Sequence, residues 1–211
     1  NLSLENDVFN KIINKKKAKG IIFKEKFIDI GTPKKLSFIK KNSNYLKNKA
    51  VFLDRDGVIN RESGYILSYK KFKFLQGVKK AIKYINDRNY LAIIITNQAS
   101  LGKSLLNEKK LFNIHKKMQH SLWHFNKSHI DDIFYSPYYK NSTINKFRIN
   151  KFDRKPNPGM IFKAIKKWNI DKKNSFFIGD KKSDKLAASR AKIKFYYKKN
   201  MSFYDQIKEI I

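Results

Sequence analysis

From Ala50 onward, short apolar runs alternate with longer stretches in which apolar residues recur every three or four positions. The runs at residues 51–53, 91–95, 133–135, 176–178 and 194–197 predict strands, and their nearly unbroken apolar character predicts burial on both faces. Residues 78–88, 108–126, 158–168, 184–192 and 203–211 carry helical spacing. Asn107 and Asn157 are placed to cap two of these helices, and Pro158 suits a first helical turn. Strand and helix in alternation predict right-handed βαβ units, a parallel sheet, and strand C-termini gathered along one edge.

Ahead of Ala50 the pattern changes. Residues 4–14 carry helical spacing through Val8, Phe9, Ile12 and Ile13, a lysine run follows at 15–17, and residues 20–23 read as a short strand. Residues 34–49 read as a helix or linker, with Leu36, Ile39 and Leu46 as anchors among lysine and asparagine. The expected boundary is near Asn48, giving residues 1–48 and 49–211 as two parts. The chain opens on Asn1 and not methionine, so it reads as processed, excised or part of a longer reading frame.

A chain of 211 residues with 41% hydrophobic content can bury a sizeable core. No cysteine occurs, which excludes disulfides and thiolate metal sites and suits a reducing cytoplasm. No apolar run is long enough to span a bilayer, so no membrane partner is expected. The net charge of +31 would draw any polyanion. Yet 42 of the 48 basic residues are lysine, spread along nearly the whole chain in the company of abundant Asn, Ile, Phe and Tyr, as AT-rich codons would give. Nucleic acid is therefore expected to bind only non-specifically.

The chemistry begins where the first strand stops. Residues 51–60 read Val-Phe-Leu-Asp-Arg-Asp-Gly-Val-Ile-Asn, an apolar run ending at Asp54 and Asp56, which flank Arg55, and then Gly57. On an extended segment these alternate carboxylates lean to one face, at the strand end where open α/β sheets bind ligands, and such a pair calls for a cation between them. Three later stretches supply what the pair lacks: the run ending in Thr96-Asn97-Gln98, then Arg154-Lys155-Pro156, then Gly179-Asp180 followed by Asp184. Together they read as a magnesium-dependent phosphoryl-transfer site. Asp54 suits a carboxylate nucleophile, Asp56 a general acid and base, and Thr96 and Lys155 stabilisers of phosphoryl charge. Asp54, Asp56 and Asp180 are the expected magnesium ligands, with Asp184 in a supporting role one helical turn on. The backbone amides of Asn97 and Gln98 are expected near the phosphoryl oxygens.

In this order the four stretches resemble the four motifs of the haloacid dehalogenase-like phosphatases, in the branch that contains histidinol-phosphate and heptose bisphosphate phosphatases. That resemblance implies a Rossmann-like three-layer fold on a five-stranded parallel sheet with no large cap domain. It assigns the same roles to Asp54 and Asp56. It also implies that Glu62, Ser63, Gly64 and Tyr65 form a loop over a phosphorylated sugar, with Asn97, Gln98, Ala99 and Lys181 beside it and Arg154 reading a second phosphate. The substrate so implied is heptose 1,7-bisphosphate, with histidinol phosphate, a polynucleotide 3′-phosphate, or a decayed non-catalytic domain as alternatives.

The chain departs from that pattern twice. Ala99-Ser100-Leu101-Gly102-Lys103-Ser104 replaces the usual Ser-Gly-Ile-x-Arg-Gly. Where many relatives carry a zinc loop, Ser136-Pro137-Tyr138 and Lys151-Phe152-Asp153 hold no ligand pattern, so no zinc is expected and residues 139–150 should be looser or packed by aromatics. The histidines are His115, His120, His124 and His129; the i, i+4 pair at 120 and 124 fits a solvated helix face. Upstream, Ser3-Leu4-Glu5 and Phe27-Ile28-Asp29-Ile30-Gly31-Thr32-Pro33 resemble the C-terminal end of sugar-1-phosphate nucleotidyltransferases. There Asp29 matches a metal-holding aspartate, implying a remnant of such an enzyme and a covalent or functional association with one.

Overall fold

The computed structural model describes residues 3–15, 19, 27–149 and 152–211, which fall into two compact units, Asn1–Ser43 and Asn44–Ile211. In the first, a π-helical turn Leu4–Phe9 runs into helix α1 (Asn10–Asn14). Helix α2 (Pro33–Lys41) starts cleanly because Thr32 Oγ1 accepts the Lys35 amide and Pro33 occupies a position that needs no donor. No residue of α2 is buried, and Leu36 there and Leu46 in the second unit are 38% and 42% exposed, so neither is the anchor their spacing predicts. Asp29 is exposed and binds locally, to the Gly31 amide and to Lys35 Nζ at 2.7 Å. The strand predicted at residues 20–23 and most of the lysine run lie outside the described residues.

The second unit is a three-layer α/β fold. Strands β1 (Lys49–Leu53), β2 (Tyr90–Asn97), β3 (Asp132–Ser136), β4 (Phe176–Gly179) and β5 (Lys194–Tyr197) form a five-stranded parallel sheet in the order β3-β2-β1-β4-β5. The alternation of β1 shows why the strand had to be apolar throughout. Val51 and Leu53 pack with helices α3 (Val78–Asp87), α5 (Glu108–Trp123) and α8 (Phe203–Ile210), while Ala50 and Phe52 face α6 (Gly159–Trp168) and α7 (Lys182–Ala191). All four are fully buried, and sinking a side chain of the size of Val, Leu or Phe is worth about 1.5–3 kcal/mol.

Several boundaries move for local reasons. Helix α5 stops at Trp123, three residues early, because Ser128 Oγ satisfies the Leu122 carbonyl while Asn126 and Lys127 turn the chain with positive φ. Asn107 caps α5 as predicted, its side chain accepting the Lys110 amide. Asn157 does not cap α6. Pro158 takes the cap position, and Asn157 Oδ1 accepts instead from Arg190 Nη1. A short helix α4 (Ala99–Gly102), which the apolar spacing does not predict, follows β2. Between β1 and α3 the chain forms turns and a short 3-10 segment and no inserted domain. Among the described residues no helix is long and apolar enough to cross a membrane.

The candidate active site at the strand ends

Chain order places the site. β1 is flanked by β2 on one side and β4 on the other, so the loops leaving these strands diverge and open a crevice at their C-terminal ends. Leu53 pairs with Ile178, and the Asp54 amide donates to the Ile178 carbonyl, which sets Asp54 and Asp180 side by side as the first residues beyond their strands. A cavity of about 570 Å³ lies there, and twelve of the expected site residues line it: Asp54, Asp56, Glu62, Gly64, Tyr65, Thr96, Asn97, Gln98, Ala99, Arg154, Lys155 and Lys181. Arg55, Ile66 and Ser183 line it as well, and of the expected residues Ser63, Asp180 and Asp184 do not.

Beneath the cavity lies a buried charge cluster. Lys155 Nζ sits 2.9 Å from Asp54 Oδ1, 2.7 Å from Asp184 Oδ1 and 2.8 Å from the Ile95 carbonyl, with 3% of the residue exposed. Burial pushes the Asp54 carboxyl up to about 6 against the opposing charge of Lys155. Burial would lower the Lys155 ammonium, but Asp54 and Asp184 hold it above its ordinary range. Asp184 is consumed by support, its second oxygen accepting the Lys181 amide at the start of α7. The Lys155 backbone is held in turn by Asn97, whose side chain donates to its carbonyl and accepts its amide.

Asp54, Asp180 and Asp184 each bring a carboxylate oxygen within 4.8 Å of the others, the cluster of this kind found among the described residues. Asp180 Oδ1 is buried with no hydrogen-bond partner there, and burial raises the Asp180 carboxyl. An orphaned carboxylate oxygen in an all-oxygen donor set fits a hard divalent cation. Gly57 makes room for it: its φ is +86°, and a Cβ there would lie 2.2 Å from Asp180 Oδ2.

Asp56 is held by an unanticipated residue. Arg55 is 1% exposed, and its Nε and Nη2 reach Asp56 Oδ1 at 3.2 and 2.9 Å while Nη2 reaches Oδ2 at 2.9 Å. Asn60 Nδ2 and Gln98 Nε2 add bonds at 2.9 and 3.0 Å. Burial raises the Asp56 carboxyl, but the Arg55 charge and these bonds outweigh it and hold the group below the usual carboxylate range. Nothing in the spacing marks Arg55 as buried, since arginine is by default a surface residue; its position between two carboxylates was the available signal.

The expectation for the phosphate loop needs one correction. The Gln98 amide is spent on the Ser136 carbonyl at 2.7 Å, because the chain continues the β2–β3 pairing for one residue beyond the strand. The Gln98 side chain bridges Asp56 and Thr96 Oγ1 instead, and Thr96, accepting that bond, keeps its own proton to donate. At the mouth, Lys181 Nζ meets Glu62 at 2.6 Å, and Arg154 donates to the Tyr138 carbonyl with its guanidinium 5.9 Å from the Tyr139 ring. Lys103 Nζ stands over both Tyr65 and Tyr139.

In the segment that lacks a zinc-ligand pattern, Tyr138 packs edge-on against Phe147, Phe152 stacks on Phe162, and Ser142 Oγ donates to the Gly102 carbonyl. Asn150 and Lys151 lie outside the described residues. His120, exposed in the last turn of α5, pairs with His124 just beyond it, their Nε2 atoms 3.0 Å apart.

Comparison with known proteins adds independent findings. Residues 49–206 match the family described as Polynucleotide kinase 3 phosphatase. Over 146 residues, 69% of this chain and 77% of the other, the sequence is 37% identical to the D-glycero-alpha-D-manno-heptose-1,7-bisphosphate 7-phosphatase of Burkholderia mallei. It is 38% identical over 146 residues, 69% and 80% of the two chains, to the D-glycero-beta-D-manno-heptose-1,7-bisphosphate 7-phosphatase of Haemophilus ducreyi. The structure of the D,D-heptose 1,7-bisphosphate phosphatase from B. bronchiseptica, complexed with magnesium and phosphate, shares the fold. The TM-score is 0.66 at 22% identity, over 77% of this chain and 97% of that one.

Proposed function

The chain belongs to the haloacid dehalogenase-like phosphatases, within the polynucleotide kinase 3 phosphatase family, and from that membership we propose a magnesium-dependent phosphomonoesterase that removes the 7-phosphate of heptose 1,7-bisphosphate. The observation that carries the chemistry is the ionic contact of Lys155 with Asp54 beside the orphaned oxygen of Asp180.

Among the described residues, the contacts of the Asp54 carboxylate with the Arg55 amide and Lys155 Nζ both fall on Oδ1, so Oδ2 is the oxygen that attacks. It bonds to phosphorus as the ester P–O bond breaks, and Asp56, ionised in the free protein, takes up a proton as the phosphate anion binds beside it and gives that proton to the departing sugar oxygen. In the second step Asp56, now a carboxylate, takes a proton from the water that attacks phosphorus, and the bond to Asp54 breaks to release phosphate. Thr96 donates to a phosphoryl oxygen and Lys155, its three protons spent on Asp54, Asp184 and the Ile95 carbonyl, lends its charge beside it, where one preorganised group is worth roughly 100- to 1,000-fold in rate. A bound Mg²⁺, held by Asp54, Asp180 and the Asp56 carbonyl, would neutralise charge between the anionic carboxylate and the anionic phosphate.

Substrate choice rests on the relatives and on the mouth. Arg154, partly buried and set against Tyr139, suits a second phosphate, and Glu62, Gly64, Tyr65 and Lys181 border the space for the sugar. A polynucleotide 3′-phosphate is the second reading, favoured by the family match and by the +31 charge. Phosphate release assayed with heptose 1,7-bisphosphate, histidinol phosphate and a 3′-phosphorylated oligonucleotide, with and without Mg²⁺, separates them. Preferred turnover of the heptose supports the assignment, and preference for the oligonucleotide at about 0.15 M salt, where non-specific attraction is screened, overturns it. The resemblance of the segment around Asp29 to a sugar nucleotidyltransferase accords with a sugar substrate, and with action in the cytoplasm, where such sugars are activated.

A further inference from the structure

Beyond the site residues, one buried side chain has no part in the chemistry above and no obvious structural excuse. His115 lies on α5, 7% exposed, with Nε2 3.2 Å from Arg55 Nη1. A guanidinium has five N–H donors and no acceptor, so His115 must present the lone pair of Nε2 and carry its proton on Nδ1. The contact therefore has one polarity: Arg55 donates, and a neutral imidazole accepts.

That polarity matters because of what the other edge of the same guanidinium does. Nε and Nη2 face the two oxygens of Asp56 while Nη1 is taken by His115. A planar group bound along both edges cannot rotate about its axis without losing one set of bonds. We propose that His115 is a positioning residue for the general acid and base, acting through Arg55 to fix where the Asp56 carboxylate stands relative to Asp54. The inference rests on the role given to Asp56 above. With an apolar residue at 115, Nη1 would be left buried and unsatisfied, and the guanidinium would turn to find an acceptor, carrying Asp56 with it.

The test compares His115→Leu, His115→Gln and Asp56→Asn on two esters, a sugar phosphate and p-nitrophenyl phosphate, by single-turnover kinetics with Mg²⁺. The sugar alkoxide needs a proton to leave; the nitrophenolate does not. His115→Leu is expected to slow phosphoryl transfer from the sugar about 10- to 100-fold, as misplacement of a catalytic group does, with KM and transfer from the aryl ester within about twofold. Gln, which can offer a carbonyl to Nη1, should restore the sugar rate. Equal losses on both esters, or parent-like rates in His115→Leu while Asp56→Asn is inactive on the sugar, would overturn the relay. Should Asp56→Asn keep the parent's rate on the sugar, it is the role of Asp56 that fails. If His115→Leu does not fold, ¹⁵N NMR of the parent decides: a protonated Nδ1 with bare Nε2 supports the contact, and the opposite tautomer refutes it.

Discussion

Lys155 Nζ lies 2.9 Å from Asp54 Oδ1 and 2.7 Å from Asp184 Oδ1, so one buried ammonium neutralises the proposed nucleophile and the residue that supports it. Lys155→Met should lower kcat roughly 100- to 1,000-fold through loss of a preorganised charge. It should also destabilise the metal-free protein by about 3–5 kcal/mol, since it strands two buried carboxylates. Urea unfolding and steady-state kinetics read the two effects separately, and saturating Mg²⁺ should recover part of the stability but not the rate.

Asp54→Asn should abolish turnover while leaving a folded protein. Without metal its stability should differ from the parent's in a pH-dependent way. The Asp54 carboxyl is raised from 3.8 to about 6, chiefly by burial. A raised carboxyl favours the native state when protonated, so the parent holds this contribution below pH 3.8 and loses it as pH rises through about 6. Each pH unit crossed between those two values costs the parent about 1.4 kcal/mol. Parent-minus-variant melting curves in chelator should therefore diverge between about pH 4 and 6 in the direction that favours the variant.

His115 gives the opposite slope. Burial and then Arg55 lower its pKa to about 3, so neutral His115 supports the fold above the ordinary value near 6.5 and that support fades as pH falls toward 3. Replacing it with Gln should flatten this part of the acid unfolding profile, measured as ΔG of unfolding against pH from about 3 to 7.

Gly57→Ala places a methyl group where Asp180 stands and asks a non-glycine residue to hold φ near +86°. Mg²⁺ affinity by calorimetry should fall about 10- to 100-fold, the usual penalty for disturbing the support of a metal ligand. Unchanged affinity would show that Asp180 does not bind the ion.

Much of this was legible from local pattern. The strand centres were, because a strand buried on two faces must be apolar at every position, and the carboxylates were, because they interrupt such runs where nothing else polar occurs. The side-chain partners were not. Asn97 and Gln98 line the cavity as substrate contacts would, but that the first also grips the Lys155 backbone and the second spends its amide on Ser136 was not to be read from spacing. Arg55 and His115 come from distant segments, and only the packing of α5 against the sheet brings them together. The loss of a cap at Asn157 has the same origin: Arg190, on another helix, competes for its oxygen.

The pairing of β1 with β4 has a temporal side. Asp54 is made near the start of its unit and Asp180 only in its last quarter, and they meet only through a register that joins Leu53 to Ile178. Such a distant closure is slow to find and gains nothing until it is complete. A nascent chain therefore carries Asp54, the proposed nucleophile, through most of the synthesis of its unit with β2 beside it but not β4, and a chain cut short before β4 would lack Asp180. The paired carboxylates of the site exist only once β4 has arrived.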